Sequence, residues 1–226
     1  MTTKIDFTMQ ELLASGAHFG HVREKYNPKM KEFIFGLREG VHLIDLEKTV
    51  KNLSKALEYI ASQKEQGKNI LFVCTKSGIS SMVRELAIEL DMPFVTYRWP
   101  GGMLTNFETL KKQIKKFNDL DLLTQNEEKW SKMTKKEKSS VNKEIEKLTR
   151  NFEGVKKLTK VPDNVFIIDT INEKTAITEA RKMKIPVIAI VDTNSDPGMI
   201  DFPIPANDDA KKGLELILGE VRKVLS

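Results

Sequence analysis

Asn69-Ile70-Leu71-Phe72-Val73-Cys74-Thr75 decides the fold class. A strand with one wet face alternates apolar and polar side chains, but here Ile70, Leu71, Phe72, Val73 and Cys74 are apolar without a break. That is the pattern of a strand covered on both faces, as in a parallel sheet flanked by helices. The neighbouring segments agree. Residues 46–66 place Val50, Leu53, Leu57 and Ile60 on one helical face and stop at Gly67. Residues 80–90 give a second helix and 94–97 a short strand; further on, 164–170 read as strand, 174–184 as helix, 186–193 as strand and 208–225 as a closing amphipathic helix. Strands alternating with helices predict a doubly wound parallel α/β sheet. Ahead of this core, 8–15 form a short helix with Thr8 and Glu11 spaced as a capping box, 18–31 form a loop rich in aromatic and basic residues, and 33–36 and 41–44 flank the polar turn Arg38-Glu39-Gly40 as a hairpin.

The alternation is interrupted once, over 105–157. Thr105-Asn106-Phe107-Glu108 has the spacing of another capping box, and Leu110, Ile114, Phe117 and Leu120 then recur at helical intervals. Beyond a polar turn, Val141, Ile145, Leu148, Phe152 and Val155 step by four and three residues, the intervals of a coiled coil. Each helix has one narrow apolar stripe, so the two are expected to pair as an antiparallel helical hairpin projecting from an α/β domain made of 1–104 and 158–226. The chain of 226 residues carries a formal charge of +5, and its placement is informative: residues 105–157 hold 14 Lys/Arg against 9 Asp/Glu, leaving 23 of each sign elsewhere. An excess confined to one segment is the footprint expected for a polyanion partner.

Composition excludes several classes. A single cysteine, Cys74, rules out an internal disulfide framework, and its apolar surroundings read as a small buried hydrophobe rather than a nucleophile. MTTKIDFTMQELL lacks the charged start and apolar core of a signal peptide, and no apolar stretch reaches the ~20 residues that span a bilayer. A cytoplasmic location with no membrane partner is expected.

The strand ends are where an open α/β sheet holds ligands. Thr75-Lys76-Ser77-Gly78-Ile79-Ser80 has neither the three-glycine dinucleotide fingerprint nor the Walker spacing, and Thr75 or Ser77 is expected to cap the next helix. In Asp192-Thr193-Asn194-Ser195-Asp196-Pro197 two carboxylates could ligate Mg²⁺ or do acid–base work, yet no Lys or His completes a catalytic set in that turn. Asp169, Asp192 and Asp196 are therefore read as turn residues. His18 and His21 form H-x-x-H, but only His42 remains as a further histidine, so no metal site is expected. Two segments resist a purely structural explanation. Arg23, Lys25, Lys29 and Lys31 alternate with Tyr26, Asn27 and Pro28, a set suited to phosphate contact and stacking. Arg98-Trp99-Pro100-Gly101-Gly102 then ends a strand in a hinge before the interruption, where Trp99 could anchor the arm, contact RNA, or do both.

His18-Phe19-Gly20-His21, Asn27-Pro28-Lys29-Met30, Arg98-Trp99-x-Gly101-Gly102-Met103-Leu104-Thr105-Asn106, Ile190-Val191-Asp192-Thr193-Asn194-Ser195-Asp196-Pro197 and Pro205-Ala206-Asn207-Asp208-Asp209-Ala210 occur in one order across nearly the whole chain. Together they resemble the bacterial "S-two" family of small-subunit ribosomal proteins. The resemblance implies a flavodoxin-like doubly wound parallel sheet with an inserted antiparallel coiled-coil helical hairpin. It also implies binding of 16S rRNA near the junction of head and body, late entry into assembly, docking of the large messenger-binding ribosomal protein numbered one, and no catalytic activity, cofactor or small-molecule substrate. Pro100 stands where the family usually has Leu, and Ala206 where it often has Gly, which questions any need for a positive φ there.

Under this reading Arg23, Lys25, Lys29, Lys31, Lys76 and Arg98 neutralise phosphates, Tyr26 and Trp99 stack beside Asn27, and the arm adds Lys111, Lys112 and Lys115. The competing classes are a small α/β enzyme using Asp169, Asp192 and Asp196, and a protein–protein adaptor working through its arm.

Overall fold

The computed structural model describes residues 5–226, so part of the N-terminal segment read above, Met1 to Lys4, lies outside the described residues. Its centre is a parallel sheet of β4 (Ile70–Val73), β5 (Phe94–Val95), β6 (Asn164–Ile168), β7 (Val187–Val191) and β8 (Phe202–Pro205), in the order β5-β4-β6-β7-β8. Counted within this sheet alone, that order is 2-1-3-4-5, as in flavodoxin-like sheets. Val73 lies opposite Ile167, and Ile167 opposite Ala189.

Side chains alternate across the sheet, and both sides are dry. Ile70, Phe72, Phe166, Ile168, Ile188 and Ile190 face α2 (Leu46–Glu65), α3 (Ser80–Glu89) and α8 (Lys211–Leu225) through Leu53, Leu57, Val83, Leu86, Leu214 and Ile217. Leu71, Val73, Val165, Ile167, Val187 and Ala189 face the opposite layer, where α7 (Lys174–Lys182) contributes Ala176, Ile177 and Ala180. Every residue of β4, β6 and β7 is buried. The two-sided burial explains the unbroken apolar runs. Cys74 is buried, and burial pushes its thiol up to about 12, which keeps it an inert hydrophobe.

The sequence missed two strands for different reasons. β8 contains Pro203 and Pro205, which cannot donate to a ladder, so its run does not read as a strand; the structure uses it at an edge, where proline is tolerated. β1 (Phe19–Val22) lies in the segment read as loop and pairs antiparallel with β3 (Val41–Ile44), which in turn pairs with β2 (Ile34–Arg38). The β2–β3 turn is two residues, with Glu39 at φ 52 and Gly40 at φ 80, the backbone that a tight hairpin requires. A short helix α1 (Met9–Ala14) precedes β1, with Thr8 and Glu11 forming the expected capping box.

Between β5 and β6 lie α4 (Phe107–Gln125), α5 (Glu127–Ser131) and α6 (Lys135–Phe152). α4 and α6 pack together: Lys116 Nζ meets Glu144 Oε1 at 2.6 Å, and Phe152 lies by Leu110 and Gln113. Leu110, Ile114 and Phe117 are buried on α4, but only Leu148 on α6. The capping box expected at Thr105 does not form; Asn106 is the cap residue and no side chain caps α4. Nor do Thr75 or Ser77 cap α3, whose cap residue is Ile79. After α6 the chain returns over β5 so closely that a Cβ on Gly154 would stand 2.2 Å from the Phe94 carbonyl oxygen.

Gly154→Ala should therefore destabilise the fold by roughly 1–3 kcal/mol in urea titrations, since the obstacle is backbone. Gly219→Ala, in α8 with nothing within 4 Å of the new methyl, should instead gain up to about 1 kcal/mol. Equal effects at the two sites would refute the packing account.

Candidate functional site

In a sheet of this order the ligand crevice lies beyond the carboxyl ends of β4 and β6. Here that position is occupied by the chain's own charges. Lys76 follows β4, and its Nζ lies 2.7 Å from Asp208 Oδ1, 2.6 Å from Asp209 Oδ1 and 3.6 Å from Asp169 Oδ2. Burial alone would lower its pKa, but hydrogen bonds to Asp208 and Asp209 and the charge of Asp169 raise it, so Lys76 stays positive. Asp208 is pushed up to about 6 by burial, with Asp192 and Asp169 adding to the effect, which leaves it ionised and paired at neutral pH. Lys76 is thus directed into three carboxylates of its own fold rather than outward.

The remaining carboxylates are similarly engaged. Asp169, at φ 67, accepts from the backbone N–H groups of Ile171 and Asn172 at 3.2 and 3.1 Å. Glu173 accepts from Thr75 N–H at 2.7 Å and Thr75 Oγ1 at 2.6 Å, although burial raises its pKa. Asp192, fully buried, accepts from the Thr193 hydroxyl and lies 3.2 Å from His21 Nδ1. No group of three or more His, Cys, Asp or Glu side chains arranged to hold a metal occurs among the described residues.

The basic loop is stitched to the end of β7 at one residue. Thr193 Oγ1 accepts from His21 N–H at 2.8 Å, and the Thr193 carbonyl accepts from Asn27 N–H at 2.9 Å. A Cβ on Gly20 would come within 2.3 Å of Thr193 Cγ2, so glycine is needed for this approach. Asn27 Oδ1 caps the following 3₁₀ turn by accepting from Lys29 N–H, with Pro28 at its first position. Met30 and Phe33, buried beneath, anchor that turn. Its polar side therefore faces outward. Arg23, Lys25 and Lys31 are exposed and have no ion-pair partner among the described residues, whereas Lys29 lies 2.6 Å from Asp196, whose pKa it lowers. Tyr26 stacks on His42 with centroids 4.3 Å apart, which occupies one face of its ring.

The hinge converges on a residue that sequence reasoning did not single out. Glu179 on α7 accepts from Trp99 Nε1 at 3.1 Å and Gly102 N–H at 2.8 Å through one oxygen, and through the other from Leu104 N–H at 3.0 Å and from Thr105 N–H and Oγ1, both at 3.2 Å. Gly102, at φ 82, bends the backbone so that these donors form a nest around the carboxylate. Burial opposes ionisation, but the hydrogen bonds from Trp99, Gly102, Leu104 and Thr105 outweigh it and lower the pKa. The available signal was a Glu among Ala176, Ile177 and Ala180, on the buried stripe of its helix. Trp99 is thereby turned inward, while Arg98 is exposed. Lys111 lies 3.3 Å from Glu108 and over the Phe107 ring; Lys112 and Lys115 are exposed.

The family model for ribosomal protein S2 matches residues 12–226. The small ribosomal subunit protein uS2 of Helicobacter acinonychis (strain Sheeba) is 42% identical over 218 residues, covering 96% of this chain and 88% of the relative. That of Acidothermus cellulolyticus is 45% identical over 210 residues, covering 93% and 76%. That of Phocaeicola vulgatus is 46% identical over 207 residues, covering 92% and 74%.

Glu179→Gln keeps the shape but loses the charge and one acceptor, and should cost about 2–3 kcal/mol in denaturant titration. It should also shift Trp99 fluorescence; an unchanged midpoint would remove the hinge from the fold's stability. The Asp192 carboxylate raises the pKa of His21, against the opposing effect of burial. A raised pKa stabilises the fold fully below the unfolded histidine value of ~6.5 and is lost as pH rises through the folded value. The stability gap between wild type and His21→Gln should therefore shrink from pH 6 to pH 9, and a widening gap would show the opposite coupling.

Proposed function

Since the chain belongs to the ribosomal protein S2 family, we propose that it is a structural constituent of the small ribosomal subunit that binds ribosomal RNA. This is not an enzyme family. The observation that carries RNA binding is the loop of Arg23, Lys25 and Lys31: three exposed cations without ion-pair partners among the described residues, on a turn held by Thr193, Asn27, Met30 and Phe33. A backbone already held in place need not be ordered when these side chains meet phosphate, and such contacts give affinity and register rather than sequence reading.

The finer assignments rest on the family resemblance. The RNA is 16S rRNA near the junction of head and body. Residues 105–157 form an inserted coiled-coil arm, supported by the packing of α4 on α6 and by their ion pair, and Lys111, Lys112 and Lys115 give it a basic side. Arg98 and Lys29 join the RNA-facing set with Tyr26 and Asn27 beside them. Lys76 and Trp99 are assigned to the fold, because their polar groups have internal partners and, unlike Lys29, they are not exposed. A contact with neighbouring small-subunit proteins, including the messenger-binding one, is favoured by exposed apolar side chains on the small antiparallel sheet: Phe35 at 78%, Phe19 at 49% and Leu37 at 48%. No helix among the described residues is long and apolar enough to cross a membrane.

Binding of the full chain to small-subunit RNA should weaken steeply as salt rises. Replacing Arg23, Lys25 and Lys31 with Ala should reduce the slope of log K against log salt by roughly 0.9 for each phosphate that is no longer neutralised. Affinity indifferent both to salt and to this triple variant would reject the reading.

A further inference from the structure

A second basic surface, sharing no residue with the loop, lies where the hinge meets α6. Tyr97, Arg98, Lys143, Glu146, Lys147 and Arg150 line, with Asn151, a groove of about 300 Å³. Two separate parts of the chain build it. Tyr97 and Arg98 follow β5, and Lys143, Lys147 and Arg150 project from α6 at steps of four and three residues, along one side of the helix. All four cations are exposed, and none has a carboxylate at ion-pair distance among the described residues. The charges of α6 are sorted: Glu144 is drawn to Lys116 on α4, which leaves the groove with four cations against the single Glu146. Tyr97 is 58% exposed and is a stacking surface at the groove's end.

We propose that this groove holds an unpaired RNA segment, with successive phosphates on Lys143, Lys147 and Arg150, the adjoining phosphate on Arg98, and a base or ribose against Tyr97. This deepens the RNA-binding reading above and rests on it. The spacing supports a strand: Lys143 and Lys147 are about 6 Å apart along the helix axis, so their charges form a row rather than a point. An aromatic beside a row of cations is how proteins hold single-stranded nucleic acid, because every base has a face to stack while the backbone supplies the charge. An A-form duplex offers phosphates but keeps its bases stacked, and would leave Tyr97 unused. A run of acidic side chains such as poly-glutamate would meet the cations but has no aromatic face to offer Tyr97.

The test uses the full chain with a labelled unpaired oligoribonucleotide, the same sequence as a duplex, and poly-glutamate of similar charge. Wild type should prefer the unpaired strand. The variant K143A/K147A/R150A should lose at least tenfold affinity and about two units of salt slope, at roughly 0.7 per single-strand phosphate. Tyr97→Ala should lose about fivefold or more and Tyr97→Phe little. K143R/K147R/R150K should retain binding, and circular dichroism should show each variant folded. Wild-type affinity in the triple-Ala variant, no effect of Tyr97→Ala, or equal binding of poly-glutamate overturns the proposal. If the Arg23, Lys25 and Lys31 variant loses RNA while the groove variants do not, the groove alone is wrong. If wild type binds no RNA, the wider reading fails with it.

Discussion

Covering both faces of a parallel sheet leaves its polar chemistry only the ends and edges, and the rest of this molecule is arranged around that constraint. β4, β6 and β7 contain almost nothing but buried aliphatic and aromatic side chains. Their carboxyl ends must then satisfy backbone groups and carry every charge nearby. In many folds of this topology the space is left for a ligand. Here Lys76 pairs with Asp169 and Asp208, Asp192 accepts from Asp208 N–H and Glu173 from Thr75, and Thr193 uses what remains to fasten the loop bearing Arg23 to Lys31. The unpaired cations are displaced outward, onto a loop and a hinge, where the proposed RNA contact would be made.

Glu179 is the counterpart of that arrangement on the other side of the sheet. A carboxylate without partners could not sit on the buried stripe of α7. Five donors from one short turn make it tolerable, and charge-assisted hydrogen bonds are roughly twice as strong as neutral ones. The position of α4 thus depends on a helix more than seventy residues away in sequence. Because α6 packs on α4, the same carboxylate also governs where the cations of α6 lie relative to Tyr97 and Arg98.

Much of this was legible in the residues because the strongest signals are local or periodic. The unbroken apolar runs at 70–74 and 165–168 announced a two-sided sheet, and the helix periods located every long helix. What failed was competition for partners. Thr105 has the spacing of a cap, but its hydroxyl and N–H turn to Glu179; Thr75 stands where a cap would, but turns to Glu173. No local pattern encodes a carboxylate that arrives from another element. Lys76 looked like one more phosphate contact for the same reason, since Asp208 and Asp209 are distant in sequence. The prolines of β8 hid a strand and yet pointed correctly to an edge. Ala206 needs no positive φ and is simply buried, so the substitution of a frequent glycine has no backbone consequence.

The close passage of Gly154 over Phe94 also bears on the chain before it reaches any partner. A sheet edge is a template on which other chains can add strands, a hazard for any chain free in solution. β5 is only two residues long, and the chain returning from α6 lies against its Phe94 carbonyl. At the opposite edge, Thr49 on α2 donates its hydroxyl to the Pro205 carbonyl at 2.6 Å. Both borders of the parallel sheet are thus guarded by the protein's own segments, a protection against strand addition there that does not depend on assembly.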